Sequence, residues 1–145
     1  AWLKENVPPG AVLLLDQPHT GPLAIPSKEQ CVELAEHAEK IGSPRARLYR
    51  AMAARHPGGG WRIARIQRAS SPDAGFLDVR PGLDLVRAAR VEWVVTTSYG
   101  ADPQRSRELA TFFSELAEQA DLVREFPSGP GGAAGPWLRA YRLRR

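Results

Sequence analysis

Between Pro8-Pro9-Gly10 and Asp16-Gln17-Pro18 runs an uninterrupted apolar stretch, Ala11-Val12-Leu13-Leu14-Leu15. A run this short, held between turn-forming residues, fits a strand better than a helix. Side chains alternate between the two faces of a sheet, so a strand with no polar alternation has to be covered on both faces. That requirement favours a sheet with helices packed against it, and the rest of the chain supplies the helices.

Residues 1–7 read as the end of a helix, with Trp2, Leu3 and Val7 as its apolar contacts, and Pro8-Pro9-Gly10 stops it. Ser27 opens a second helix. Gln30 follows three residues later in an S-x-x-Q capping box, in which each side chain satisfies a free backbone N–H. Cys31, Leu34, Ala35, Ala38 and Ile41 then recur at helical spacing until Gly42. Ser43-Pro44 opens a third helix with Leu48, Ala51 and Met52 as the expected buried stripe, closed by Pro57-Gly58-Gly59-Gly60. Residues 61–67 form a second strand with Trp61, Ile63 and Arg65 on one face and Arg62, Ala64 and Ile66 on the other. Residues 70–81 are rich in loop formers, and 83–90 suggest a short helix. Residues 92–97, rich in β-branched and aromatic side chains, form a third strand. Residues 105–119 make an amphipathic helix with Leu109, Phe112, Phe113 and Leu116 at i, i+3, i+4 and i+7. Strands at 122–126 and 137–143 flank a Gly/Pro loop.

Strands alternating with helices predict a single layered α/β domain over residues 1–145 with a mainly parallel sheet of about five strands. The first three strands take the order two-one-three under right-handed crossovers. The loop between the last two strands is shorter than the dozen or more residues that a crossover needs, so these two form an antiparallel pair. The sequence leaves open which of them lies beside strand three. Leu13, Leu15, Trp93, Val95, Phe112 and Leu116 are expected in the core.

A chain of 145 residues buries about two-thirds of its unfolded surface, enough for a core without disulfides or metal. Cys31 is the sole cysteine, which rules out an intramolecular disulfide and a cysteine-built zinc site. The glycine runs at 58–60 and 129–135 precede strands, whereas phosphate loops follow a strand and open a helix. His19, His37 and His56 lack metal-binding spacing, and Ser98 lacks a nucleophile elbow. A Ser98–His19–Asp16 site could arise only by assembly in space. No metal and no cofactor is expected in this segment. The net charge of +4 is modest, and the arginines at 45–55 and 139–145 read first as solvated faces, so a nucleic-acid partner is not expected.

Several segments carry a family likeness: Ala1-Trp2-Leu3-Lys4-Glu5-Asn6-Val7-Pro8-Pro9-Gly10-Ala11, residues 91–99, the helix through Phe112-Phe113-Ser114-Glu115-Leu116, Leu122-Val123-Arg124-Glu125-Phe126-Pro127, and residues 135–143. Together they resemble the soluble C-terminal domain that follows the membrane helices of bacterial polytopic glycosyltransferases. That group is similar to the protein O-mannosyltransferases and aminoarabinose transferases, which use polyprenyl-phosphate sugars. The resemblance implies a fragment of a multi-pass membrane protein, placed on the extracytoplasmic face. Its partners would be the transmembrane part of the same polypeptide and a sugar, glycolipid or protein acceptor. The family's catalytic acidic residues lie in the membrane-embedded part and match no position here, so no catalytic residue carries over. The implied role is accessory: positioning an acceptor or contacting a partner. The alternative is a free-standing α/β module for a nucleotide or sugar phosphate, which rests on fold class alone.

Open α/β sheets take ligands beyond the carboxyl ends of their strands, where the strand order reverses. Here that point lies between strands one and three. The candidate ligand-binding residues are Asp16, Gln17 and His19 on one side and Thr97, Ser98 and Tyr99 on the other, with Arg105 from the following helix. The competing use of Asp16 and Ser98 is to satisfy loop backbone groups.

Overall fold

A computed structural model of the chain describes residues 2–16, 24–67, 75–127, 129 and 136–145. The apolar run becomes β1 (Val12–Leu15), flanked by β2 (Arg62–Ile66) and β4 (Trp93–Thr97), both parallel to it. β3 (Phe76–Leu77) adds a short parallel edge to β2, while β5 (Ala120–Phe126) and β6 (Leu138–Leu143) complete the other side. The sheet order is β3-β2-β1-β4-β6-β5, with β6 antiparallel to both neighbours. The expected mainly parallel α/β sheet and the two-one-three order are present. The last strand inserts beside β4 and leaves β5 at the edge. Burial accounts for this choice. Ala140, Tyr141 and Leu143 of β6 are buried, whereas Leu122 and Val123 of β5 are about half exposed. A register shift between Leu122 and Arg124 breaks the regularity of this edge, which discourages pairing with another chain.

Alternation along β1 divides the interior in two. Leu14 joins Ile66, Val94, Phe112 and Leu116 on one face. That face is closed by α4 (Leu83–Ala88) and α5 (Ala110–Gln119), which contribute Leu83, Val86, Phe112 and Leu116. Leu13 and Leu15 join Trp61, Ile63, Trp93 and Val95 on the other face. There α1 (Trp2–Asn6) lays Trp2 edge-on against both Trp93 and Phe126, at ring separations of 6.0 and 5.8 Å. All six core residues expected from the sequence are buried.

The connection from β1 to β2 runs through α2 (Lys28–Lys40) and α3 (Arg45–Ala54), which pack on each other and are clamped by a two-pronged Arg50–Glu39 ion pair. The stripe expected on α3 is wrong in detail: Leu48 and Ala51 are exposed, Met52 is partly covered, and Ala53 is buried. The covered side of α3 instead carries Ala53, with Ala46 and Tyr49 partly covered, one helical turn apart from one another and offset from the expected stripe. The expected helix over 105–119 begins later, as a 3₁₀ turn (Arg107–Leu109) leading into α5. β3 falls in the stretch read as loop, because two residues carry too little periodicity to register as a strand.

The capping box is half formed. Ser27 Oγ accepts a hydrogen bond from the Gln30 N–H, but the Gln30 side chain does not return to Ser27. The Ser27 N–H bonds to the Trp61 carbonyl instead. The Gln30 amide donates to the Ile63 carbonyl at 2.6 Å and accepts from the Ile63 N–H at 2.8 Å. Along this outer edge of β2 the Trp61 N–H bonds to Ile25, Arg65 to Gly75 and Gln67 to Leu77. Between the backbone of 25–27 and that of β3, the Gln30 amide occupies the place of a strand peptide. Gly60, at the start of the same edge, has φ +86°, and a Cβ there would lie 2.8 Å from the Pro26 carbonyl oxygen, so close approach of two backbones requires glycine. Among the described residues, no helix is long and apolar enough to cross a membrane.

Candidate functional site

The carboxyl ends of β1 and β4 lie side by side because the two strands pair in register, Leu15 against Val95. The chain leaving β1 stays against β4, with the Asp16 N–H bonded to the Val95 carbonyl at 3.0 Å. Thr97 Oγ1 then donates to Asp16 Oδ2 at 3.1 Å and accepts from the Gly100 N–H at 3.0 Å. Both side chains are completely buried. One hydroxyl thus joins the end of β1 to the turn after β4, and Asp16 and Thr97 act on the protein itself. Replacing Thr97 with valine keeps the shape and removes both bonds. The expected loss is about 1–3 kcal/mol of stability, read by thermal or urea unfolding; a neutral result would mean the hydroxyl contributes nothing.

The turn beyond Thr97 is fixed by its own polar groups. Asp102 Oδ1 accepts from the Gln104 N–H at 2.9 Å, its carbonyl accepts from Arg105 and Ser106, and Ala101 N–H reaches back to the Thr97 carbonyl. Ser98 is half-buried, with its N–H bonded to the Trp137 carbonyl. Tyr99 is 40% exposed. The Arg105 guanidinium lies 5.3 Å from the centre of the Tyr99 ring and 3.7 Å from the Asp102 carboxylate. The Tyr99 ring and the Arg105 guanidinium therefore stand together at the exposed side of this turn, next to the half-buried Ser98. Groups of this kind suit a polar, hydroxyl-bearing ligand.

Five of the seven candidates, Asp16, Thr97, Ser98, Tyr99 and Arg105, gather at one edge. Gln17 and His19 lie outside the described residues. Asp16 and Thr97 face inward, so a ligand at this edge would meet Ser98, Tyr99 and Arg105. The chain matches no family model, no curated protein and no solved structure.

Other reactive side chains are engaged elsewhere. His56 Nε2 faces the Pro26 carbonyl at 2.8 Å, which makes it the donor, and Nδ1 accepts from the Gly58 N–H at 3.0 Å. Both ring nitrogens are thereby used in closing the end of α3. Cys31 is fully buried, and burial, with help from the nearby Glu29, pushes its thiol above the usual range. It behaves as a small apolar side chain and not as a nucleophile. Among the described residues, no three His, Cys, Asp or Glu side chains come together as a metal-binding group.

Proposed function

We propose that this chain is a binding and positioning domain, and that it serves as the extracytoplasmic accessory domain of a bacterial polytopic membrane glycosyltransferase. Two things support the reading. The segments quoted above resemble that group. The exposed Tyr99–Arg105 pair stands where the strand order reverses, the usual place for ligands on open α/β sheets, and it carries the functional part of the proposal. In this role the domain holds a hydroxyl-rich group, a sugar or the acceptor, at the carboxyl edge of the sheet, while bond making and breaking belong to the membrane-embedded part of the same polypeptide.

Tyr99→Ala combined with Arg105→Ala in the complete protein is expected to lower sugar transfer about fivefold, the loss of roughly one kcal/mol of polar contact. Thermal unfolding of the domain should fall only slightly, because Arg105 is exposed and Tyr99, 40% exposed, lies outside both core clusters. Unchanged transfer would remove this edge from the function. A coding region upstream of Ala1 without several apolar stretches of ~20 residues would remove the glycosyltransferase parentage.

A further inference from the structure

The apolar stripe that periodicity marks on α3 for burial is left uncovered by the chain itself. α2 is the main element packed on α3, and the covered side of α3 carries Ala46, Tyr49 and Ala53. With about 100° of rotation per residue, Leu48, Ala51 and Arg55 fall on the opposite side. All three are exposed there, Leu48 by 56%, and Met52 beside them is only partly covered.

The stripe runs into a groove of about 350 Å³ between α3 and the segment before α2, with Ile25, Pro26, Ala51, Met52 and Pro57 as its apolar walls. Ile25 is 37% exposed. His56, also in this groove, pins its two sides together. Its Nε2 donates to the Pro26 carbonyl at 2.8 Å, and its Nδ1 accepts from the Gly58 N–H at 3.0 Å. Leu48 stands one helical turn before Ala51 and Met52 and extends the same apolar surface beyond the groove.

The charges around this surface are of one sign. α3 contains no acidic residue. Arg50 is committed to Glu39 of α2. Arg47 and Arg55 are exposed on the outward side with Leu48 and Ala51, and their side chains form no hydrogen bond or ion pair among the described residues. Of the other carboxylates on α2, Glu29 lies within electrostatic reach of His56 and Glu36 of Arg50. Exposed apolar groups beside unspent guanidinium groups complement a surface with negative charge in front of hydrocarbon.

We propose that the outward face of α3 rests on an anionic lipid surface. Leu48 and the rim of the groove enter the boundary between headgroups and acyl chains, and Arg47 and Arg55 lie among the headgroup phosphates. Leu48 and the groove do not form one concave pocket, and a deformable layer can meet both at once. One leucine and two arginines make a weak contact for an isolated domain, and a strong one only where the domain is also tethered at the membrane. The face shares no residue with the Tyr99–Arg105 turn and does not depend on the function proposed for it.

Sedimentation of the chain with vesicles tests it, using phosphatidylcholine alone and phosphatidylcholine mixed with phosphatidylglycerol at millimolar lipid. Binding is expected on the mixed vesicles, weakening as salt rises. Arg47→Gln and Arg55→Gln should each lower the partition about fivefold, the value of one arginine near a charged surface. Leu48→Gln should lower it about tenfold through the lost apolar burial. Glutamine keeps helix propensity at all three positions, so the melting temperature should change little, which separates lost binding from lost folding. Arg107→Gln, exposed on another element, should bind normally. Absence of binding, equal binding to both kinds of vesicle, or binding indifferent to Leu48→Gln would each overturn the proposal. An equal loss with Arg107→Gln would mean general basicity and overturn it too. Dimerisation in solution that Leu48→Gln abolishes would make a second copy of the chain the occupant of this face, with the same consequence.

Discussion

Truncating Leu14 to alanine is expected to cost about 3–5 kcal/mol of unfolding free energy. Leu14 has no solvent exposure, and parallel strands bracket it at Ala64 and Val94. Its side chain belongs to the cluster that includes Ile66, Phe112 and Leu116. Rigid partners on a paired strand cannot move in to fill the space, so the loss of transfer energy is joined by that of a cavity. Urea denaturation should show a lower midpoint with an unchanged slope. A loss below about 1 kcal/mol would mean that the two layers collapse onto the vacancy and that the sheet is more deformable than its pairing implies.

The second large effect is expected at Gln30. Gln30→Met keeps the length of the side chain and removes its amide, leaving the Ile63 N–H and carbonyl without partners at an edge that no other strand covers. Gln30 is 7% exposed, so water cannot replace the amide easily. Two backbone groups left unpaired, at about 1–3 kcal/mol each, give an expected cost of about 2–5 kcal/mol. Amide hydrogen exchange provides the specific reading, since the Ile63 N–H should lose protection more than its neighbours in β2. Full protection of Ile63 in the variant would show that the amide is not its partner. The comparison with Leu14 is informative because one substitution removes apolar contact and the other removes only polar pairing.

Gln30 also shows where sequence reasoning stops. Serine and glutamine three residues apart before an apolar run signal a helix start, and the helix does start there, with Ser27 capping the Gln30 N–H. The destination of the glutamine side chain was not legible. A carboxamide can serve the N-terminus of its own helix or any exposed strand edge within reach, and only the placement of β2 beside residues 25–30 offers that edge. The same holds for Asp16 and Thr97. Their positions at the carboxyl ends of paired strands follow from the strand order. That they bond to each other in the interior, and leave Tyr99 and Arg105 outside, depends on the direction of individual side chains in a turn whose path the sequence does not dictate.

The layered α/β class, the parallel centre of the sheet and the burial of β1 on both faces were legible in the chain before any folding. Continuous apolar runs and 3.6-residue periodicity are local properties, and burial on both faces leaves them few ways to be satisfied. The tertiary structure decided that β6, and not β5, lies beside β4, because both antiparallel solutions are open to a short loop and the outcome turns on which strand has more to bury. It also brought Arg144, near the end of the chain, against Asp121 at the start of β5. Charge runs specify only that a side chain carries a charge; whether it stays in water or meets a carboxylate depends on strand neighbours, which are non-local.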